Sequence, residues 1–150
     1  MIKIKIGDKM PEIKLSSAFG KEISPTEFKG KKNLVVYFYP KADTPGCTRE
    51  GIGFNEKLED FKKLDTEIFG VSVDKPETNK KFCDKYGFRF PLLSDDGGKI
   101  AKSLGILKDT GSAMRTTFII SKDGKVVDIF ENVKVDGHVE KVMESIKKLK

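Results

Sequence analysis

Apolar runs of strand length alternate with helical spacing along the first half of the chain. Residues 34–39 form a continuous apolar run that Pro40 ends, which is typical of a strand buried on both faces of a sheet. Residues 68–73, which are apolar except for Gly70 and Ser72, predict a second buried strand. Between the two runs the apolar residues recur at helical spacing, in a helix that begins near Cys47 and includes Phe54, Leu58, Phe61 and Leu64. The pattern predicts a strand, a helix and a second strand in that order.

The second half of the chain continues this alternation and ends in a hairpin and a helix. The predicted elements are a helix over 76–86 that Gly87 ends, an extended piece at 91–93, a short helix over 99–104, strands over 116–120 and 126–130, and an amphipathic helix from Val139 to Leu149. Asp74 is the acidic candidate for capping the first of these helices. Asp123 and Gly124, between the last two strands, are a strong signal for an antiparallel hairpin.

The order of these elements predicts an α/β fold. Short apolar pieces before residue 31, broken by glycines and prolines, suit a small hairpin. A right-handed βαβ unit followed by antiparallel strands gives a central mixed β-sheet flanked by helices. The pattern matches the thioredoxin-like fold with an N-terminal β-hairpin extension, and other three-layer α/β folds match it nearly as well. Residues 1–150 contain no repeat, low-complexity segment or linker, so we expect a single domain.

Composition and charge exclude several classes of protein. With 37% hydrophobic and 35% charged residues, the chain is far from the disordered and membrane classes. The net charge of +6 comes almost wholly from lysines that are interleaved with acidic residues, as in 56–63, so a solvated surface is favoured over a nucleic-acid interface. No apolar run approaches the ~18 residues that span a bilayer, and the N-terminus lacks a hydrophobic signal core. We expect a cytoplasmic protein with no membrane or nucleic-acid partner.

The residue types present give little support for a metal site or a bound cofactor. The chain has one histidine, His138, and two cysteines, Cys47 and Cys83, that lie far apart in sequence. This is a poor ligand set for zinc, so neither a metal nor a cofactor is expected. His138 stands at the start of the last predicted helix, where we expect a solvated or capping side chain. The two thiols are either inert filler or redox groups.

The surroundings of Cys47 favour a reactive thiol. A lone cysteine is by default a small buried hydrophobe, but Cys47 follows the turn residues Pro45 and Gly46 and opens a helix. Free N–H groups and the positive end of the helix dipole stabilise a thiolate at such a position. Thr44 is close enough in sequence to aim its hydroxyl at the sulfur or at a substrate oxygen. Pro40 has no N–H group and is suited to shielding the thiolate from bulky substrates.

The segment 37–50 resembles the active-site segment of peroxiredoxins, in which the order Pro-x-x-x-Thr-x-x-Cys corresponds to Pro40, Thr44 and Cys47. The flanking Tyr-Pro and Thr-Pro-Gly-Cys-Thr sequences are similar to those of the peroxiredoxin Q, or bacterioferritin comigratory, subgroup. Further resemblance extends over 7–11, 90–95 and 115–120. It implies a thioredoxin-like fold and a thiol-specific peroxidase that reduces hydrogen peroxide and organic hydroperoxides through a sulfenic acid at Cys47.

The same resemblance assigns further roles at the site. Arg115 is the arginine that holds the thiolate and polarises the peroxide, and its place just before an apolar strand agrees with that role. Backbone N–H groups near Gly46 and Cys47 assist, and Glu50, one helical turn on, orients an arginine in related proteins. Many peroxiredoxin Q proteins carry a resolving cysteine five residues after the first, where this chain has Ile52.

A second arrangement in the subgroup places the resolving cysteine on the later helix, which corresponds to Cys83. It implies an intramolecular disulfide that thioredoxin or a similar dithiol protein reduces, a local unwinding around Cys47, and a monomeric protein. Three alternatives remain. One is a one-cysteine peroxidase with an external thiol resolver, and another is a non-enzymatic thioredoxin-like binding module. The third, a disulfide oxidoreductase, is disfavoured because the chain has no Cys-x-x-Cys sequence.

Overall fold

The strand over Asn33–Phe38 is the centre of the fold, and all six of its residues are buried. Its side chains alternate between two apolar cores, with Val35 and Tyr37 in one and Leu34 and Val36 in the other. Because successive side chains of a strand point to opposite faces, a sheet covered on both faces requires apolar residues at every position. This is why the sequence there is continuously apolar rather than alternating.

A computed structural model describes residues 2–149 of the chain. Within that range the elements are β1 (Leu15–Ser17), β2 (Glu22–Ile23), a 3-10 turn (Pro25–Phe28), β3 (Asn33–Phe38), α1 (Pro45–Glu56), α2 (Leu58–Lys63), β4 (Thr66–Ser72), α3 (Pro76–Tyr86), β5 (Leu92–Ser94), α4 (Lys99–Leu104), β6 (Thr116–Ile120), β7 (Val126–Phe130) and α5 (His138–Lys147).

The strands form one mixed sheet in the order β2-β1-β5-β4-β3-β6-β7. β3 pairs in parallel with β4, and β4 pairs in parallel with β5. The remaining pairs are antiparallel, including the N-terminal hairpin of β1 and β2 and the hairpin of β6 and β7. The predicted mixed sheet with its N-terminal hairpin is confirmed. Phe38 is paired with Thr116, so the residue before β6 lies beside the end of β3.

The helical region after Cys47 differs from the prediction, because it is two helices rather than one. The break falls at Lys57, between α1 and α2. A straight helix over both segments would be about 28 Å long. On the second helix, Leu58 and Phe61 pack in the apolar core, where each is at most 1% exposed. Apolar spacing alone does not reveal such a bend, because each segment keeps its own helical period.

Asp74 does not cap α3, contrary to the sequence prediction. The N-cap residue is Lys75, which makes no side-chain capping bond, so Asp74 stands one residue too early. Its carboxylate instead accepts hydrogen bonds from the Ala42 N–H at 2.8 Å and the Ser72 hydroxyl at 2.8 Å. These bonds attach the loop between β3 and α1 to the end of β4. Among residues 2–149, no helix has both the length and the apolar character needed to cross a membrane.

Candidate active site

Cys47 lies in the first turn of α1. The helix begins at Pro45, and Thr44 is the N-cap residue with extended backbone angles. N–H groups in a first helical turn have no partner within the helix, and the helix dipole adds positive potential there. The thiol is only 1% exposed. Cys47 thus combines burial with a local environment that stabilises a negative charge on sulfur.

Arg115 supplies the second source of positive charge. Its Nη2 donates to Cys47 Sγ at 3.3 Å, and its Nη1 donates to Glu50 Oε1 at 2.6 Å. Burial opposes the charged form, but Glu50 and Cys47 hold the pKa of the Arg115 guanidinium above its ordinary value. The other two arginines, Arg49 and Arg89, make exposed ion pairs instead. The sequence analysis assigned Arg115 to the site of Cys47, and in the structure the two side chains are in contact.

The remaining residues predicted for the substrate site surround the same turn. The Thr44 hydroxyl donates to the Lys41 carbonyl at 2.8 Å and makes no hydrogen bond to the Cys47 sulfur. Pro40 is half-buried at the end of β3. A Cβ atom added to Gly46 would lie 3.0 Å from Arg115 Nη2, so the backbone passes directly beside the guanidinium.

Cys83 is a free thiol on α3, on the same apolar core as Cys47. It is 5% exposed, and its S–H group donates to the Phe88 carbonyl at 3.2 Å. Burial, and to a lesser degree Asp84, raises the pKa of the Cys83 thiol. The position corresponding to the other resolving arrangement, Ile52, is 37% exposed on α1.

This geometry agrees with a comparison against known protein families. The sequence model of the AhpC/TSA family matches residues 6–129. The chain belongs to this family of peroxiredoxins. It is therefore a peroxidase, and its substrates are peroxides that a thiol reductant ultimately reduces.

Individual relatives support the peroxiredoxin Q resemblance. Peroxiredoxin Bcp of Bacillus subtilis is 37% identical over 151 residues, which cover 96% of this chain and 96% of that protein. The crystal structure of peroxidoxin BcpB from Mycobacterium tuberculosis superposes with a TM-score of 0.92 at 30% identity, covering 98% of this chain and 99% of that one. Peroxiredoxin Q of Xanthomonas campestris has a TM-score of 0.85 at 38% identity, over 91% and 90% of the two chains. The thioredoxin-like fold predicted from the sequence is confirmed.

Behind Arg115, this peroxiredoxin has a buried polar cluster that the sequence did not reveal. Glu50 is 0% exposed, and burial raises the pKa of its carboxyl group to about 7 against the opposing effect of Arg115. His138 Nε2 lies 3.8 Å from Glu50 Oε2 and forms a 2.9 Å hydrogen bond with the Thr117 hydroxyl. Burial and the charge of Arg115 lower the pKa of His138 to about 4. Glu50 holds the arginine as the resemblance implied.

The prediction that His138 is solvated or capping is wrong, because the side chain is only 3% exposed. A signal for this was present in the sequence. His138 stands four residues before Val142 and eight before Ile146, so all three share one face of α5, and all three are buried. Thr117 lies on β6 beside the start of α5, where its hydroxyl reaches the His138 ring. No group of three or more His, Cys, Asp or Glu side chains within 2–149 is arranged to hold a metal ion.

Proposed function

We propose that this peroxiredoxin reduces hydrogen peroxide and organic hydroperoxides with Cys47 as the attacking residue. The observation that carries the proposal is the 3.3 Å contact between Arg115 Nη2 and Cys47 Sγ at the start of α1. A guanidinium at this distance favours the thiolate before the reaction and the charge on the peroxide oxygens during it. The organic substrates have support from a structural study of the Xanthomonas campestris bacterioferritin comigratory protein, which concerns its alkyl peroxide reduction activity.

In the first step the Cys47 thiolate attacks the terminal oxygen of the peroxide. The S–O bond forms as the O–O bond breaks, which leaves a sulfenic acid on Cys47. The second oxygen leaves as hydroxide or alkoxide and takes up a proton to become water or an alcohol. Arg115 and the N–H groups near Gly46 and Cys47 donate toward the charge that develops along S–O–O, where one preorganised donor is commonly worth about 3 kcal/mol.

Thr44 and Pro40 determine how the peroxide is held. Because the Thr44 hydroxyl already donates to the Lys41 carbonyl, its lone pairs remain available to accept a hydrogen bond from the peroxide O–H. Pro40 has no N–H group, so it shields the sulfur without competing for the thiolate. Because Cys47 is 1% exposed, only the narrow peroxide end of a substrate can approach the sulfur.

In the second step Cys83 resolves the sulfenic acid. The Cys83 sulfur attacks the Cys47 sulfur, the S–S bond forms as the S–O bond breaks, and the Cys83 proton and the departing hydroxide leave as water. Two serine mutants of the Xanthomonas campestris peroxiredoxin Q support this assignment, because the two mutated cysteines have the same separation in sequence as Cys47 and Cys83. Both cysteines of this chain border one apolar core.

The disulfide requires local unwinding of α1 and movement of Cys83. Bridged cysteines have Cα atoms within about 7 Å, whereas the axes of packed helices lie about 8–10 Å apart. The first turn of α1 therefore opens around Cys47. On α3 the bond from the Cys83 thiol to the Phe88 carbonyl breaks, which also frees the thiol to ionise.

Recycling completes the proposed cycle. Thioredoxin or a similar dithiol protein attacks the Cys47–Cys83 disulfide and returns both residues to thiols by exchange. Since the disulfide forms within one chain, the cycle needs no partner subunit, and we propose a monomer that acts in the cytoplasm.

The test is intact mass and cysteine mapping after one equivalent of hydrogen peroxide, on wild type and on Cys83→Ser. The expected result is a loss of two hydrogens with a Cys47–Cys83 peptide in wild type, and a trappable sulfenic acid at Cys47 in the variant. A persistent sulfenic acid in both proteins would mean that an external thiol, rather than Cys83, resolves it. A Cys47 that does not react within minutes would reject it as the attacking residue.

A further inference from the structure

The second carboxylate oxygen of Glu50 is in an unusual position. Oε1 is paired with Arg115, whereas Oε2 is the one buried side-chain oxygen or nitrogen within residues 2–149 that has no hydrogen-bond partner. A buried polar atom without a partner costs free energy, so it needs an explanation in terms of what the site does. The nearest candidate partner is His138 Nε2, at 3.8 Å.

His138 is held firmly in this place. Its ring makes edge contacts with Phe54 and Phe130, with ring centroids 6.1 Å and 5.4 Å away. Nε2 is fixed by the 2.9 Å hydrogen bond with the Thr117 hydroxyl. The imidazole and the orphaned carboxylate oxygen therefore face each other across a gap that a small side-chain movement closes.

A single proton shared by Glu50 and His138 removes both the excess negative charge and the unpaired oxygen at this place. A carboxylate that shares Arg115 with the Cys47 thiolate puts two negative charges on one cation in a buried site. If the pair formed by Glu50 and His138 binds one proton, it is electrically neutral, and Oε2 acquires a hydrogen-bond partner at Nε2, which it shares with the Thr117 hydroxyl. This holds whether the proton resides on the carboxyl or on the imidazole, because two coupled groups titrate as a unit.

We propose that Glu50 and His138 form a proton-binding pair behind Arg115, and that His138 is a positioning residue which adjusts how strongly Arg115 stabilises the Cys47 thiolate. The proposal rests on the role of Cys47 given above. When the proton is bound, the Cys47 thiolate is the one net negative charge beside Arg115, and the guanidinium stabilises it fully. When the proton leaves, Glu50 competes with Cys47 for the same guanidinium.

The surrounding charges are compatible with this pairing. The raised pKa of Glu50, about 7, places the loss of the shared proton near neutral pH, and the lowered pKa of His138, about 4, keeps a second proton off the pair. The other titratable groups around the pair are Arg115 and Cys47 at the site, Tyr37 on β3, and Glu140 and Lys141 on α5. Glu140 and Lys141 oppose each other, so Arg115 is the dominant neighbouring charge.

The first experiment observes the pair without any catalysis. His138 is the only histidine, so its imidazole gives a single, unambiguous set of NMR signals. In a Cys47→Ser background, which removes the titration of the thiol, we expect these signals to report a transition near pH 7. The transition should disappear when Glu50→Gln is added. No transition near neutral pH, or the same transition in both proteins, would overturn the proposal.

The second experiment separates positioning from packing by two substitutions of His138. Phe fills the aromatic site but offers no polar atom to Glu50, whereas Gln fits less well but places an amide nitrogen near the position of Nε2. We expect His138→Phe to slow the oxidation of Cys47 by hydrogen peroxide about tenfold, and His138→Gln to stay within about threefold of wild type. A residue that only packs would give the opposite order.

Thermal unfolding of both variants shows whether a slower reaction reflects a loss of folded protein. The rates of Cys47 oxidation then distinguish the two proposals. If wild type oxidises at Cys47 and His138→Phe reacts as fast, the positioning role of His138 fails while the proposed function stands. If wild-type Cys47 does not react, the proposed function fails, and the NMR titration alone decides whether the pair binds a proton.

Discussion

Gly46 leaves no free space for a side chain beside the guanidinium of Arg115, since a Cβ atom on Gly46 would lie 3.0 Å from Nη2. The same Nη2 donates to Cys47 Sγ, and Nη1 is held by Glu50. Arg115 is anchored on both sides, so any shift away from an added methyl group disturbs its bonds to Cys47 and Glu50. The residue before the reactive cysteine therefore sets the position of the arginine, and this relationship gives the first prediction.

Gly46→Ala is expected to lower the rate of Cys47 oxidation by about tenfold or more, because it displaces Nη2 from the sulfur. The stability of the protein should change little, since Gly46 does not have a positive φ and alanine favours helix formation. Single-turnover oxidation by hydrogen peroxide measures the rate, and thermal unfolding measures stability.

Gly53→Ala is the matched control on the same helix. Its added Cβ would meet Val139 Cγ2 at 2.9 Å, far from the guanidinium. This variant should lose stability but retain the rate of Cys47 oxidation. Equal rates in Gly46→Ala and wild type would show that Arg115 adapts to the methyl group.

Thr44→Val should lower kcat/KM for hydrogen peroxide, because it removes the hydroxyl that donates to the Lys41 carbonyl and that we propose accepts the peroxide O–H. The expected loss is about 10- to 100-fold, the value of one buried hydrogen bond or somewhat more. Thr44→Ser keeps the hydroxyl and should retain most of the activity. If the valine and serine variants are equally active, the hydroxyl has no part in holding the substrate.

Asp43 connects the loop before α1 to the end of α3. Its carboxylate accepts hydrogen bonds from Lys85 Nζ at 2.9 Å and from the Tyr86 hydroxyl at 2.8 Å, and these bonds lower the pKa of Asp43. Since the proposed disulfide formation would move both segments, Asp43→Asn should speed the step from sulfenic acid to disulfide, by about threefold for an exposed pair. Stopped-flow mass analysis after peroxide addition measures this step.

The ion pair between Asp65 and Lys122 provides the control for this prediction. It is an exposed pair at 3.2 Å, Asp65 has a positive φ like Asp43, and the pair touches neither α3 nor the loop before α1. Asp65→Asn should therefore leave the rate of disulfide formation unchanged. A similar acceleration in both variants would mean that general destabilisation of the protein, rather than release of the loop, governs the step.

Glu50 should make the stability of the reduced protein depend on pH. Its pKa is raised from 4.5 to about 7 on folding, so the folded state binds the proton more tightly than the unfolded state. The stabilisation from this group is full below pH 4.5 and is lost as the pH rises through 7. Relative to Glu50→Gln, the free energy of unfolding of wild type should fall by about 3 kcal/mol over this range.

Urea unfolding of both proteins under reducing conditions, at several pH values, measures this difference. His138 contributes with the opposite sign: its pKa is lowered from 6.5 to about 4, so its stabilisation is lost as the pH falls. His138 is present in both proteins but titrates together with Glu50, so the comparison with Glu50→Gln measures the pH dependence of the coupled pair. A difference that does not vary with pH would contradict a raised pKa at Glu50.

The sequence by itself determined most elements of the fold and the position of the cysteine that we propose reacts with peroxide. The run 34–39 is typical of a strand buried on both faces, because both sides of such a strand face an apolar core. Thr44, Pro45 and Gly46 place Cys47 in the first turn of a helix by local backbone rules. Such signals are readable because they depend on neighbours within a few residues.

Only the tertiary structure decided how the charges around Cys47 are arranged. Arg115 reaches the sulfur because β6 pairs with β3, and the burial of Glu50 against His138 depends on where α5 packs. The bend at Lys57 likewise follows from the shape of the core. The physical reason is that the effect of a charge depends on its distance to other charges and on its burial, and residues far apart in sequence acquire both only when the chain folds.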